Sequence, residues 1–238
     1  MKPPRPSRRS LPRRRRMGVL TKVAVILIAL GFVVPVALIA IYGVVSPPLT
    51  PLMVIRSLEG QGLAWEWVSL EEISPHLPAA VIAAEDNNFC RHDGFDWDQI
   101  EKALDTYEDG GRLRGASTIS QQTAKNMFLW PDRSYLRKGL EAYLTVLLEL
   151  LWTKQRILET YLNVAEWSGG VYGAEAAAEH AFGKSAVDLT QREAALLATV
   201  LPDPLHRTAA NPSAAQKQFA DTLLRRIDQI RPLLDCYR

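Results

Sequence analysis

The sequence predicts a mainly helical protein, in which one membrane-spanning helix precedes an all-α or nearly all-α domain. An uncharged apolar run of 23 residues, 23–45, directly follows a cluster of arginines. Beyond it, apolar residues recur at helical spacing, and the alternation typical of strands is sparse. The 238 residues give room for one domain of moderate size.

The basic residues are concentrated at the N-terminus. Nine of the 28 lie before Gly43 with no acidic residue among them, so the remaining 19 accompany all 26 acidic residues. An acidic body argues against nucleic acid as a partner, because nucleic-acid binders carry their basic residues on the folded face. We expect residues 1–17, rich in Pro and Arg, to form a disordered tail.

Residues 18–45 are predicted to be a retained membrane anchor. About 20 apolar residues suffice to cross the hydrocarbon core. The alternative is a cleaved signal peptide, whose apolar region would span about 7–15 residues. The preceding arginines hold the N-terminus in the cytoplasm, so the rest of the chain is exported. Residues 46–53, "SPPLTPLM", are predicted to form a stiff linker. Residues 54–238 are predicted to form the soluble domain.

Helical patterns follow one another through this domain. Ser74 is a plausible N-cap with Pro75 in the first turn of a helix. Thr190 stands three residues before Glu193, which is a capping box, and residues 213–230 read as a closing amphipathic helix. Segment 134–167 carries two apolar stripes, made of Leu140, Leu144, Leu147, Leu148 and Leu151, then Ile157, Leu158, Tyr161 and Leu162.

The two cysteines, Cys90 and Cys236, sit in different sequence contexts. In an oxidising compartment they could pair. One bridge is not a disulfide framework, however, and we expect two unpaired cysteines acting as small apolar residues.

Glu85 and Asp86 end an apolar helical run. A helix C-terminus disfavours a nearby carboxylate, and burial beside Phe89 acts in the same direction. Both effects would raise the pKa of Glu85 toward the value that a general base needs. The alternative is a solvated acidic helix end.

The stretch 114–126, "RGASTISQQTAKN", is unusually polar for a core segment. Its side chains can bind sugar hydroxyls and phosphate oxygens, and lysine binds phosphate as a point charge. The alternative is a capped helix N-terminus with a solvated polar face; no Gly-rich phosphate loop is present. The candidates are Ser117, Thr118, Gln121, Gln122, Lys125 and Asn126.

Arg133, Arg137 and Lys138 cluster ahead of Glu141. Arg137 and Glu141 are spaced for a helix-surface ion pair; the functional alternative is a pyrophosphate clamp beside a second carboxylate. The sequence has no His-x-x-x-His or Cys-x-x-Cys metal pattern, and no Ser-x-x-Lys with a partner Lys-Thr-Gly. We therefore expect no metal ligands.

Taken in order, these blocks resemble the monofunctional biosynthetic peptidoglycan transglycosylases, which are family 51 glycosyltransferases. The resemblance covers about residues 79–204 and the anchor. The motif E-D-x-x-F-x-x-H-x-G is met by Glu85, Asp86, Phe89, His92 and Gly94. G-x-S-T-I-x-Q-Q-x-x-K-N is met from Gly115 to Asn126, and R-K-x-x-E by Arg137, Lys138 and Glu141. A fourth motif covers residues 157–173 and a last one residues 193–202. Ala181 departs from an aromatic pair that is common in the family.

The resemblance implies a lysozyme-like helical domain that polymerises lipid II outside the bacterial inner membrane. It implies that Glu85 is the general base and Glu141 a second essential carboxylate, which either orients cations or assists the leaving group. Lys125, Arg133, Arg137 and Lys138 would stabilise the pyrophosphate. The remaining substrate-binding residues implied by the motifs are Asp86, Phe89, His92, Gly94, Ser117, Thr118, Gln121, Gln122 and Asn126.

The partners implied are lipid II, the growing glycan strand and membrane lipids, with other proteins of cell-wall synthesis or division as candidates. No cofactor is required, although divalent cations stimulate many members. Two alternatives stay open: a lytic transglycosylase or muramidase, which also uses a glutamate on a lysozyme-like fold, and an inactive cell-wall scaffold protein.

Overall fold

A computed structural model describes residues 18–111, 115–132 and 134–237. The tail expected at 1–17 and the candidate phosphate ligand Arg133 lie outside these ranges. The described chain is mainly helical, which confirms the predicted fold class. It divides into two compact units between Leu38 and Ile39.

The first unit contains most of helix α1, Val19–Tyr42, which has 24 residues and Pro35 inside it. At about 1.5 Å per residue the helix is longer than the hydrocarbon core of about 30 Å. It is long and apolar enough to cross a membrane. Its side chains up to Leu38 are mostly exposed, as expected of a helix whose surrounding solvent is lipid.

The second unit holds nine further α-helices in its described part. They are α2 (Pro51–Leu58), α3 (His76–Glu85), α4 (Trp97–Glu108), α5 (Ile119–Phe128), α6 (Tyr135–Leu151), α7 (Lys154–Val164), α8 (Ala174–Phe182), α9 (Gln191–Ala198) and α10 (Ala214–Ile230). Single 3₁₀ turns cover Leu70–Glu72, Phe89–Arg91, Ala186–Asp188, Arg231–Leu233 and Asp235–Tyr237.

Helices α3 and α5 form the centre of this unit. Helix α3 packs against α9 and α10, and α5 packs against α6, α7 and α2. Residues Leu77–Ala83 of α3 are all buried, so this helix is apolar on every side, as a central helix should be. Its last residue is Glu85, which places that carboxylate where the core meets the surface.

Three short strands form a small sheet beside the helices, in the order β1 (Ala64–Trp65), β3 (Val171–Tyr172), β2 (Glu166–Ser168). Strand β1 pairs with β3 in parallel, and β2 pairs with it antiparallel. Asn163 ties this region to α7: its side chain exchanges two hydrogen bonds of 2.9 Å with the backbone of Val68. The fourth sequence motif therefore has a structural role here.

Most of the individual helix predictions agree with the structure. The capping box of Thr190 and Glu193 is present, and α10 is capped by Ser213. The N-cap prediction at Ser74 is wrong: α3 has Pro75 as its N-cap, because the Ser74 hydroxyl instead donates to the Leu189 carbonyl at 2.7 Å.

The long segment 134–167 contains a sharp turn between its two stripes. Helix α6 ends at Leu151 and α7 starts at Lys154, with Thr153 capping α7 through its side chain. Leu151, expected on the buried stripe, is 46 % exposed. Three residues of the segment expected as a linker, 51–53, already belong to α2.

Cys90 and Cys236 form a disulfide, so the expectation of two unpaired cysteines is wrong. The partners are 146 residues apart in sequence, yet their Cα atoms are 5.5 Å apart. The bridge ties the 3₁₀ turn after Glu85 and Asp86 to the last 3₁₀ turn of the described chain. The last 3₁₀ turn packs on α7 and also contacts the 3₁₀ turn that holds Cys90, a long-range arrangement that sequence context does not reveal.

We expect replacement of both Cys90 and Cys236 by Ser to lower the free energy of unfolding by about 2–5 kcal/mol, because the long loop is no longer closed in the unfolded chain. The measurement is denaturant unfolding of the full chain in detergent. Reductant should reproduce the loss in the wild type and leave the double variant unchanged. Free thiols in the unreduced wild type, with no response to reductant, would contradict the bridge.

Candidate active site

Glu85 is the last residue of α3 and is partly buried. Burial raises the pKa of its carboxyl group, and this effect outweighs the opposing hydrogen bond from Gln122 and the charge of Lys125. The Gln122 Nε2–H group donates to Glu85 Oε2 at 2.8 Å. A carboxylate with a raised pKa and one fixed donor is suited to accept a proton.

The amide of Gln122 is itself oriented by Tyr161. The buried Tyr161 hydroxyl donates to Gln122 Oε1 at 3.1 Å. Burial raises the pKa of Tyr161 well above its usual value, so the hydroxyl keeps its proton. The amide oxygen therefore faces Tyr161 and its NH₂ group faces Glu85.

Asp86 joins the loop after α3 to the start of α5. Its Oδ2 accepts the backbone N–H of Ile119 at 2.9 Å, and His92 Nε2 lies 3.0 Å from Oδ1. Because the Gly94 N–H donates to His92 Nδ1 at 3.2 Å, the neutral ring carries its proton on Nε2 and donates it to Asp86. Asp86 is buried and acts on the site by holding these groups in place.

Thr118 caps α5 and closes the same junction. Its hydroxyl accepts the Gln121 N–H at 3.2 Å and donates to the Gly94 carbonyl at 2.6 Å. Gln121 completes the capping box, since its Oε1 accepts the Thr118 N–H at 2.9 Å. Both side chains are buried, so the structure gives them positioning roles.

Gly94 has a φ of +93°, a conformation that favours glycine. A Cβ atom there would also lie 2.9 Å from Thr145 Cγ2 and 3.1 Å from Glu149 Cγ. The loop therefore approaches α6 more closely than any side chain allows. Nearby Phe89 is completely buried, with Lys154 Nζ 4.7 Å above its ring centroid, so its phenyl group packs rather than contacts solvent.

Glu141 occupies a different environment from Glu85. It is 3 % exposed, and it pairs with Arg137 Nη1 at 2.6 Å and with Lys138 Nζ. Both cations lie on α6 within one turn of it. Glu141 is thus a buried carboxylate that forms ion pairs with two cations and holds them in position.

Lys125 lies on α5 one turn after Gln122 and is partly buried. Burial lowers the pKa of its ammonium group, opposed mainly by the negative charge of Glu141 and then by that of Glu85. Among the described residues, no carboxylate lies within ion-pair distance of it. Lys125 is therefore a cation between two acidic groups without a direct counter-ion from them.

Two cavities flank these residues. One, of about 130 Å³, has Glu85, Asp86, Asp96, Gln99, Ser117 and Thr118 in its wall. The other, of about 480 Å³, has the polar wall residues Arg56, Lys125, Asn126, Asp132, Arg137 and Glu166; we call it the cationic cavity. Its volume lies in the range of about 300–1,000 Å³ that is usual for ligand pockets.

The structure brings most of the sequence candidates together but divides their roles. Glu85 and Ser117 line the smaller cavity, and Lys125, Asn126 and Arg137 line the cationic cavity. Lys138 points its charge at Glu141. Asp86 and Thr118 also lie in the wall of the smaller cavity. The other buried or hydrogen-bonded candidates, namely Phe89, His92, Gly94, Gln121 and Gln122, form the framework of the site.

Sequence reasoning missed Arg56 and Glu166, which also line the cationic cavity. Burial raises the pKa of Glu166, and Tyr172 donates a hydrogen bond to it at 3.2 Å. Arg56 stands outside the motifs, whereas Glu166 stands within the fourth motif but was not singled out there. The one signal in the sequence that could have indicated Arg56 is that it is a single cation in the mostly apolar stretch "PLMVIRSL". Within the described ranges, no group of three His, Cys, Asp or Glu residues could hold a metal ion.

A fixed carboxylate beside a cavity lined by cations is suited to general-base catalysis on an anionic substrate. Comparison with known protein families identifies the family of this chain. Residues 53–228 match the model of the transglycosylase family. The chain belongs to the transglycosylase family.

Relatives named biosynthetic peptidoglycan transglycosylase match along most of the chain. The protein of Rhodospirillum centenum is 53 % identical over 219 residues, covering 92 % of this chain and 91 % of the relative. That of Caulobacter vibrioides is 56 % identical over 171 residues, covering 72 % and 75 %. That of Rhodopseudomonas palustris is 46 % identical over 224 residues, covering 93 % and 98 %.

We expect Asp86→Asn to lower the thermal midpoint, with a loss of about 1–3 kcal/mol, because an amide offers one acceptor oxygen where two donors now meet and turns its NH₂ group toward one of them. Thermal unfolding of the full chain measures the change. Asp93→Asn, at an exposed position in the same loop, is the control. Equal midpoints for the two variants would contradict the role given to Asp86.

Proposed function

We propose that this protein polymerises lipid II into β-1,4-linked glycan strands, with Glu85 as the general base. It is a peptidoglycan glycosyltransferase of cell-wall synthesis, as its family and the names of its relatives indicate. Lipid II as the substrate and the roles of individual residues are our proposal. The observation that carries it is the contrast between the two carboxylates: burial raises the pKa of Glu85, while Glu141 is held by two cations.

In the proposed reaction Glu85 takes the proton from the C4 hydroxyl of the GlcNAc unit on the acceptor lipid II. The hydroxyl oxygen then attacks C1 of the MurNAc unit at the lipid end of the growing strand. The bond from C1 to the pyrophosphate breaks, and undecaprenyl pyrophosphate leaves with that electron pair. Attack opposite the leaving group inverts the α configuration to β. Gln122 keeps the carboxylate of Glu85 in one orientation during this step.

The leaving group carries negative charge, so it needs positive charge more than a proton. Lys125 and Arg137 line the cationic cavity and are placed to stabilise the pyrophosphate. Glu141 is buried against Arg137 and Lys138, which supports orientation of the cations as its role, rather than proton donation to the leaving group. Ser117 and Asn126, each in the wall of a cavity, are proposed to bind sugar or phosphate oxygens.

We further propose that residues 18–45 anchor the protein in the bacterial inner membrane, with the tail 1–17 in the cytoplasm and the domain 54–238 outside it, after a short linker at 46–53. The length and apolar composition of α1 support the anchor, and the basic residues before it support the orientation. The disulfide supports an oxidising location for the domain. An anchor keeps the site beside substrates that carry lipid tails.

Replacing Glu85 by Gln removes the base while keeping the shape of the side chain. We expect the rate of lipid II polymerisation to fall by about 100-fold or more. The measurement is polymerisation by the detergent-solubilised full chain, with the glycan products sized on a gel. Glu71→Gln, at an exposed glutamate away from both cavities, should leave the rate unchanged.

The outcomes separate the alternatives. A wild type that binds lipid II without polymerising it would indicate a scaffold protein, and one that shortens preformed glycan would indicate a lytic enzyme. A Glu85→Gln variant as active as the Glu71→Gln control would remove Glu85 from the reaction.

Gln122→Met tests the link between the hydrogen bond and the pH profile. The base must be deprotonated, so the rate falls as pH drops through the pKa of Glu85, which lies above the usual value of 4.5. The hydrogen bond from Gln122 lowers that pKa, so its loss should move the acid limb of the pH–rate profile to higher pH. Gln218→Met, at an exposed position on α10, is the control. A limb that stays in place, or moves to lower pH, would contradict this assignment.

A further inference from the structure

Helix α2 forms part of the wall of the cationic cavity. It begins nine residues after the end of α1, at Pro51, and the Thr50 hydroxyl caps it by accepting the Met53 N–H at 3.3 Å. Leu52 and Met53 are buried, and the helix packs against α5. The segment that follows the membrane helix is therefore built into the site instead of only connecting to it.

Arg56 is the charged group that α2 brings to this wall. Its Nη1–H donates to Glu59 Oε2 at 2.9 Å. Its Nε is buried and, among the described residues, has no hydrogen-bond partner; the nearest carboxylate oxygen, Glu166 Oε2, is 4.0 Å away. Tyr172 in turn holds the Glu166 carboxylate. Arg56 is thus positioned by two acidic groups but retains unused donor capacity.

The other cations of the cavity indicate which kind of ligand the unused donors of Arg56 are suited to bind. Lys125 has no ion-pair partner among the described residues, and Arg137 is positioned by Glu141. The apolar wall residues Leu52, Leu129 and Trp130 adjoin these cations. A cavity with several cations beside an apolar wall suits a ligand that joins an anionic group to a hydrocarbon chain.

We propose that Arg56 is a pyrophosphate-binding residue, supplied to the site by the helix after the membrane anchor and held in position by Glu59 and Glu166. The inference rests on the proposed function, since it extends the pyrophosphate site of Lys125 and Arg137 by one cation from another part of the chain. An arginine adds to a lysine the planar set of donors that can engage two phosphate oxygens at once.

The test measures binding of inorganic pyrophosphate to the full chain in detergent by calorimetry. Arg56→Gln should weaken binding by about ten-fold or more, the effect of one lost hydrogen bond to a charged group. Arg56→Lys should recover part of the affinity, because it retains the charge. Arg192→Gln removes a partly exposed arginine that pairs with Asp221 and should bind pyrophosphate as the wild type does.

A second measurement needs no variant and so does not depend on whether Arg56→Gln folds. Phenylglyoxal modifies arginine side chains, and peptide mass spectrometry measures its rate at each arginine. Pyrophosphate should slow modification of Arg56 in the wild type and leave Arg192 unaffected. A purely structural role for Arg56 would not produce this protection.

Equal pyrophosphate affinity of the Arg56→Gln and Arg192→Gln proteins, or no protection of Arg56, would overturn the inference. Lipid II polymerisation by the same wild-type preparation is measured in parallel. An active wild type without protection at Arg56 refutes the inference alone, whereas protection in a protein that does not polymerise lipid II refutes the proposed function and leaves the anion site standing.

Discussion

The junction between α3 and α5 is the constraint on which the site depends. One carboxylate, Asp86, accepts hydrogen bonds from the first backbone N–H of α5 and from the Nε2–H group of His92. The N–H groups at a helix start have no partner within the helix. An acidic group there accepts a hydrogen bond from one of them and also interacts favourably with the helix dipole. With this junction in place, Gln122 faces Glu85 and Lys125 faces the cationic cavity from the next turn of the same helix.

In the proposed reaction, the site separates two tasks that would conflict in one place, namely proton removal and stabilisation of the leaving pyrophosphate. A base functions best where its charge is only weakly stabilised, while a leaving pyrophosphate needs strong positive charge. Burial meets the first need at Glu85, and the pairing of Glu141 with Arg137 and Lys138 organises the second on another helix. Lys125 interacts electrostatically with both Glu85 and Glu141, and it does so without forming a direct ion pair with either carboxylate.

Local patterns in the sequence were sufficient for most of the fold. The 3.6-residue period located the long helices, and Thr190 with Glu193 marked a helix start because a capping box is a short-range arrangement. The chemical groups Glu85, Lys125 and Glu141 stood in recognisable motifs. What these patterns did not reveal is which motif residues face a cavity, since Phe89 and Gln121 are buried away from both cavities through contacts made by other elements.

Features made by distant contacts could not be predicted in the same way. Ser74 has a good capping side chain, but its hydroxyl donates a hydrogen bond to a carbonyl 115 residues away. Arg56 reaches the cavity only because α2 packs on α5. Glu166 reaches it because β2 begins beside the cavity. The pairing of Cys90 with Cys236 likewise depends on the packing of two 3₁₀ turns, which no local propensity encodes.

The disulfide also imposes an order on how this molecule matures. Cys236 lies in the last described 3₁₀ turn, after all the described α-helices and strands in sequence, whereas Cys90 lies four residues after Asp86. A ribosome delivers the chain from its N-terminus, so the bond can close only after the chain has been synthesised through Cys236 and the two cysteines have reached an oxidant. The loop beside the proposed base is therefore covalently secured as a late event, and a chain that stalls before its last turn lacks this fastening.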